Sequence, residues 1–263
     1  MTADINTARG SMLEVTDVSL RFGGVNVLRR VSISVEADEL VALIGPNGAG
    51  KSSLLNCASG FYRPFAGTIG FDGQLLGRKA VHHVTRLGLV RTFQGTQLFS
   101  QLSVIDNLMI GRHHQLQYNI MDAVLWWRRP RGEEAREREE VERIIEFLNL
   151  EPYRDTAVGL LAYGIRKRVD LGRALALQPR LLMLDEPMAG MNVEEKEDFA
   201  RFILDIREAR KIPVLLIEHD MKVVMGLADR VIVLQFGQVI ASGTPAAVQA
   251  NEAVQSAYLG APQ

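Results

Sequence analysis

The segment Gly45-Pro46-Asn47-Gly48-Ala49-Gly50-Lys51-Ser52 constrains this chain more than any other. A short apolar run, Leu40 to Ile44, precedes it, and a helical pattern follows from about Gly50. Glycines at these places let a turn point its amides inward, where they cradle phosphate oxygens. The start of the helix adds a favourable dipole for the same anion. The spacing is that of a phosphate loop, G-x-x-x-x-G-K-[ST]. Lys51 is therefore expected to reach the β- and γ-phosphates of a nucleotide, and Ser52 to ligate Mg2+. Ser53 belongs to the same binding segment.

A second segment completes such a site. Leu181-Leu182-Met183-Leu184-Asp185-Glu186 reads as a central strand ending in two carboxylates. Ligands of open α/β sheets bind at that end of the strands. Asp185 is expected to hold Mg2+ through water, and Glu186 to polarise an attacking water.

Composition narrows the class further. The chain has 263 residues, enough to bury a large core without cross-links. Lys plus Arg number 30 and Asp plus Glu 31, a near-balance that gives no support to a nucleic-acid partner. The single cysteine, Cys57, excludes an intramolecular disulfide and fits a reducing compartment. No apolar run approaches the ~18 residues that span a bilayer. Met1 to Ser11 is polar, reads as a tail, and lacks the apolar stretch of a signal peptide.

The order of elements predicts an α/β chain. Leu13 to Phe22 and Val25 to Val35 alternate around Gly23-Gly24, as in an antiparallel hairpin. Gly67 to Phe71 reads as another strand, and Val104 to Gln178 as mostly helical. Within it, Val141, Ile144, Ile145 and Leu148 share a face, with Arg138/Glu142 and Glu139/Arg143 on the solvated side. Strands at Leu181 to Leu184, Val214 to Ile217 and Val231 to Leu234 flank a helix over Val193 to Lys211. A mostly parallel sheet with an inserted helical segment follows.

These residues resemble the ATP-binding cassette ATPases from about Leu13 to Leu259. The resemblance implies a RecA-like P-loop NTPase core with an antiparallel β subdomain and an inserted helical subdomain at about 95–178, all in one domain over 12–259, with 260–263 as a tail. It implies ATP and Mg2+ as ligands. Gln94, in Arg91-Thr92-Phe93-Gln94, resembles the glutamine that joins Mg2+ and water to the helical part. His219, in Ile217-Glu218-His219, resembles the histidine that bonds the γ-phosphate. Phe22 stands where cassettes place an aromatic against adenine; the plainer reading is a strand core residue. Asn192 stands where most cassettes have an aspartate.

One segment departs from the common pattern. Where most cassettes read Leu-Ser-Gly-Gly-Gln, this chain has Leu161-Ala162-Tyr163-Gly164-Ile165. Ala162 lacks a hydroxyl that would donate to the γ-phosphate of a facing subunit, while Gly164 keeps a bare amide at a helix start. Anion binding by Ala162, Tyr163 and Gly164 is expected to be weakened, not abolished.

Ala162-Tyr163-Gly164, Gly190-Met191-Asn192, Ile217 to Met221 and Ala257-Tyr258-Leu259-Gly260 resemble the first ATPase subunit of bacterial branched-chain amino acid importers. That resemblance implies a peripheral ATPase at the cytoplasmic face of the inner membrane. Its implied partners are two permeases, a second cassette in a heterodimer or homodimer and, indirectly, a periplasmic solute-binding protein. Importers of urea or amides, a lipopolysaccharide exporter and a non-transport cassette ATPase are the alternatives. Asn119 to Trp127 is apolar and is read as packing within the helical part or as a permease-facing surface.

Overall fold

The computed structural model describes residues 10–92, 98–112 and 131–259. Gln94 and Asn119 to Trp127 lie outside them, as do most of the two terminal tails. The chain opens with the hairpin expected from its alternation: β1 (Ser11–Phe22) pairs antiparallel with β2 (Val25–Glu36). β1 begins inside the segment read as tail, with Ser11 opposite Glu36. β4 (Ala66–Phe71) and the short β5 (Gln74–Leu75) complete a four-stranded sheet in the order β2-β1-β4-β5.

The second sheet has six strands. They are β3 (Leu40–Ile44), β6 (Leu89–Arg91), β7 (Leu181–Asp185), β8 (Val214–Ile217), β9 (Arg230–Gln235) and β10 (Gln238–Gly243), in the order β10-β9-β3-β8-β7-β6. All neighbours run parallel except β10, which turns back on β9. Parallel strands are covered on both faces and so read as unbroken apolar runs. Every residue of β3, β7 and β8 is buried. Leu181, Met183, Leu215 and Ile217 face a core shared with the antiparallel sheet. Leu182, Leu184, Val214 and Leu216 face the helices.

Helix α1 (Lys51–Ala58) follows β3, and α2 (Val81–Arg86) leads into β6. Three helices, α3 (Val104–Arg112), α4 (Arg131–Phe147) and α5 (Tyr163–Ala176), pack together between β6 and β7. Val141, Ile144, Ile145 and Leu148 are buried as their spacing predicts. Of the expected surface pairs on α4, Glu139–Arg143 forms at 2.7 Å, whereas Glu142 is hydrogen-bonded by Arg154 instead. The helix expected to run to Lys211 ends earlier, as α6 (Val193–Glu208). α7 (Met221–Leu227), α8 (Pro245–Gln249) and α9 (Glu252–Leu259) finish the chain.

Two contacts lock β3 and its loop in place. At its start, Arg230 forks onto Glu39 with bonds of 2.7 and 2.9 Å and reaches the Ser34 carbonyl at 2.8 Å. That arginine ties β9 to the antiparallel sheet. Burial raises the Glu39 pKa, but the Arg230 bonds, a backbone amide and the Arg230 charge outweigh it and leave the carboxyl below its ordinary 4.5. At the other end, Gly45 has φ +148, and a Cβ there would lie 2.0 Å from the Leu234 carbonyl oxygen on β9.

Both contacts make predictions. The stability contributed by a carboxylate of depressed pKa is fully present above its unfolded value and is lost as pH falls through the folded one. Arg230→Met should therefore destabilise the chain by about 1–3 kcal/mol near neutrality. That deficit should shrink as pH falls below the ordinary 4.5 and through the depressed folded value. Urea unfolding across this range checks it, and a deficit independent of pH would count against the ion pair. Gly45→Ala should cost about 2–3 kcal/mol, because β3 and β9 must move apart to admit the methyl group. Thermal unfolding checks it.

Candidate active site

β8 lies between β3 and β7, so Ile217 is in register with both Leu43 and Asp185. The strands are parallel, and the chain leaves all three at one edge of the sheet. The loop Gly45 to Gly50, the pair Asp185-Glu186 and His219 are brought together there, as the sequence predicts.

Gly48 at φ +79 and Gly50 at φ +104 take conformations that suit glycine. A Cβ on Gly50 would lie 3.0 Å from the Val27 carbonyl, so the loop is seated on β2. Gly50 caps α1 without a side-chain bond, which leaves amide donors at the helix start for a ligand. Gly45, Ala49 and Gly50 are buried, Pro46 and Ser53 half-buried, and Asn47, Gly48 and Ser52 exposed.

Lys51 is only 6% exposed, and its Nζ donates to the Gly45 and Pro46 carbonyls at 2.7 and 3.1 Å. Burial lowers its pKa, while the charges of Glu186 and Asp185 oppose that shift. The ammonium thus faces the two acids across the loop.

Asp185 is buried, and its Oδ2 accepts from Arg91 Nη2 at 2.6 Å. Arg91 Nη1 also donates to Asn56 Oδ1 on α1 at 2.6 Å. Sequence reasoning missed this arginine as a site residue. The available signal was a charged residue closing a buried strand beside an acidic one, where it needs a partner. Asp185 Oδ1 is buried with no hydrogen-bond partner among the described residues. An unsatisfied carboxylate oxygen is the kind of hard oxygen donor that Mg2+ takes.

Glu186 has φ +50, a left-handed conformation that costs a non-glycine residue of order 1–3 kcal/mol. Its N–H donates to the Ile217 carbonyl at 2.9 Å, which holds the turn. Its Oε1 lies 2.6 Å from His219 Nε2. Next to His219, Glu218 is 4% exposed and accepts two backbone N–H groups. Burial pushes its pKa up, against those hydrogen bonds. Sequence reasoning passed over Glu218 as well.

Phe22 is 47% exposed, which removes the core reading. Its ring meets the Tyr62 ring edge-on at 5.0 Å, and the two present an aromatic surface beside the hairpin turn. Tyr62 was not anticipated.

The departing segment begins α5, with Ala162 as its N-cap and no side-chain cap bond. The Tyr163 ring lies over Gly190, whose Cβ position is 3.2 Å away. Gly164 is buried against Glu195: a Cβ on it would lie 2.4 Å from Glu195 Oε1. Asn192 caps α6 through a reciprocal pair of bonds with Glu195, at 2.9 and 3.0 Å. A separate cavity of about 330 Å3 lies by the C-terminal end of α1 and includes Cys57, Tyr62, Arg63, Arg78 and Lys79. Burial raises the Cys57 pKa to about 12, so that thiol is unreactive.

Comparison with known proteins agrees with this geometry. Residues 28–189 match the family profile "ABC transporter", and residues 238–262 match "Branched-chain amino acid ATP-binding cassette transporter". The high-affinity branched-chain amino acid transport ATP-binding protein BraF of Pseudomonas aeruginosa is 39% identical over 95% of this chain and 98% of its own length. LivG of Escherichia coli, of the same description, is 38% identical over the same shares. The lipopolysaccharide export system ATP-binding protein LptB of Haemophilus influenzae is 32% identical, again over 95% and 98%. Among solved structures, the nucleotide-free ATP-binding cassette of an ABC transporter superposes with a TM-score of 0.83 at 31% identity, over 96% of this chain and all of that one. The profile match over residues 28–189, relatives 38–39% identical along nearly the full length and a cassette structure of the same fold place the chain in one family: it is an ATPase of the ATP-binding cassette family of ABC transporters.

Proposed function

We propose that this chain hydrolyses ATP to drive an importer of branched-chain amino acids or closely related small solutes. The observation that carries the solute class is the C-terminal segment 238–262, which matches the branched-chain amino acid profile beyond the general ATPase region. The full-length likeness to BraF and LivG supports the same reading. The lipopolysaccharide export relative is less similar, at 32% identity. Among the described residues no helix is long and apolar enough to cross a membrane. In this reading the chain acts from the cytoplasmic face, on two permease subunits fed by a periplasmic binding protein.

In this reading each residue has a task. Within the loop Gly45 to Gly50, Pro46 has no N–H and Ala49 donates to the Pro46 carbonyl at 3.1 Å; the other amides bind phosphate oxygens together with the start of α1. Lys51 exchanges its two carbonyl partners for the β- and γ-phosphates. Phe22 and Tyr62 receive the adenine. Ser52, Asp185 and Gln94 would hold Mg2+, which when bound neutralises charge on the β- and γ-phosphates. Arg91 fixes Asp185 by one oxygen and leaves the other without a hydrogen bond. Glu186 orients the attacking water, and His219 bonds the γ-phosphate from the opposite loop. The catalytic gain comes from positioning and electrostatics.

The second site of a head-to-tail pair would use Ala162, Tyr163 and Gly164. Glu195 stands against Gly164 at that helix start, where the ATP γ-phosphate would approach. Its negative charge adds to the missing hydroxyl of Ala162 in weakening this half. A heterodimer, in which a related cassette supplies the stronger signature, fits this arrangement.

Two experiments test the reading. Vesicles carrying the assembled transporter should take up leucine, isoleucine and valine only with ATP. Glu186→Gln should abolish that uptake and cut phosphate release by about 100-fold or more, while ATP binding stays nearly intact. Uptake of a different solute class would sink the substrate assignment, and retained hydrolysis would sink the role of Glu186. Phe22→Ala should weaken ATP and GTP binding alike by roughly 1–2 kcal/mol, since stacking tolerates any base. Isothermal titration of both nucleotides checks it; unchanged affinity would leave Phe22 without a part in binding.

A further inference from the structure

His219 and Glu186 meet although they leave different strands, and a third residue joins the two loops on the buried side. Oε1 of Glu218 accepts the N–H of Met188 at 2.9 Å, in the loop that runs on from Glu186. Oε2 accepts the N–H of His219 at 3.2 Å. The bond of 2.6 Å between Glu186 and His219 closes the ring on the outer side. Two donors from two loops thus converge on one side chain that is 4% exposed.

The chemistry of this place selects a carboxylate. An apolar residue would leave two backbone N–H groups buried and unsatisfied. A neutral amide has a single acceptor oxygen, and its NH2 group would face one of the two donors. An ionised carboxylate alone offers an acceptor to each loop. Burying that charge is unfavourable, as its raised pKa records. Such a group is more than a filler of space.

We propose that Glu218 is a positioning residue for ATP hydrolysis: its buried carboxylate ties the loop behind Glu186 to the loop that carries His219, and so sets the spacing of those two groups. The proposal rests on the roles given above to Glu186 and His219. Glu218 acts through the two backbone amides, so it governs turnover rather than nucleotide affinity.

The test uses the full chain in the assembled transporter, with Glu218→Gln and Glu218→Ala. Glu218→Ala should lower kcat by about 10- to 100-fold, the effect of misplacing catalytic groups by about 1 Å. KM for ATP should stay within about twofold, since uniform binding is untouched. Glu218→Gln, which keeps one acceptor and the same bulk, should fall between wild type and alanine and supplies a folded variant should alanine not fold. In a His219→Ala background the residual turnover should no longer respond to Glu218→Gln by more than about twofold, because residues that act together are not additive. Two results overturn the role of Glu218: kcat within about twofold of wild type for the folded variants, or the same loss in both backgrounds. Failure of the underlying reading looks different. Glu186→Gln and His219→Ala would then keep wild-type turnover on their own, leaving Glu218 nothing to position and overturning the proposal with it.

Discussion

The parallel pairing of β8 with both β3 and β7 is the constraint on which the rest depends. Hydrogen bonds to two neighbours fix Ile217 beside Leu43 and beside Asp185. Because the three strands run the same way, their exits share one edge. Antiparallel pairing of β7 would have sent the acids to the opposite edge from Lys51. Parallel pairing in turn demands crossover connections and cover on both faces. The antiparallel sheet supplies one cover, and α3 to α6 the other. The apolar runs are unbroken for that reason, and polar chemistry begins where the strands end.

The same edge collects charge that burial would otherwise forbid. Lys51, Asp185 and Arg91 are nearly inaccessible, and each reaches a partner of opposite charge or a carbonyl. Pairs of this kind add little net stability, since desolvation offsets attraction. Their value is geometric. Arg91 links α1, through Asn56, to the carboxylate at the end of β7 and stands two residues before the segment that carries Gln94.

What the sequence made legible followed from strong local rules. The phosphate loop, its strand and its helix were legible because glycine spacing and a buried run permit little else. Glu186 and His219 were legible by their places at strand ends and by resemblance. Their contact was not, because it depends on the register of β7 and β8, which no local pattern encodes. Arg91 and Glu218 were missed for a related reason: a buried ion pair or a carboxylate under two amides is a tertiary event. β6 and β10 escaped notice because three residues, or a weakly alternating edge, give too short a period. The start of α6 at Val193 is where the sequence puts it, and only its C-terminal end falls short, at Glu208; the partner of Glu142 shifted because a distant Arg154 outweighs spacing on one helix.

The segment after Glu186 also accounts for one departure at the start of α5, the tyrosine at 163. Within one chain, Gly190 lies under the Tyr163 ring, and Glu195, in the capping box of α6, stands against Gly164. A residue larger than glycine at 164 would strike that carboxylate. Tyrosine at 163 fits because Gly190 leaves room for its ring, with Arg166 and Lys167 near its face. The start of α5 and the loop behind Glu186 therefore form one packed unit. In the proposed head-to-tail pair, α5 faces the partner's nucleotide while Glu186 faces this chain's own. A phosphate arriving at Gly164 must contend with Glu195, and any displacement of Glu195 loosens the cap of α6. That cap begins six residues after Glu186, so occupancy of one site would reach the hydrolytic group of the other by packing alone.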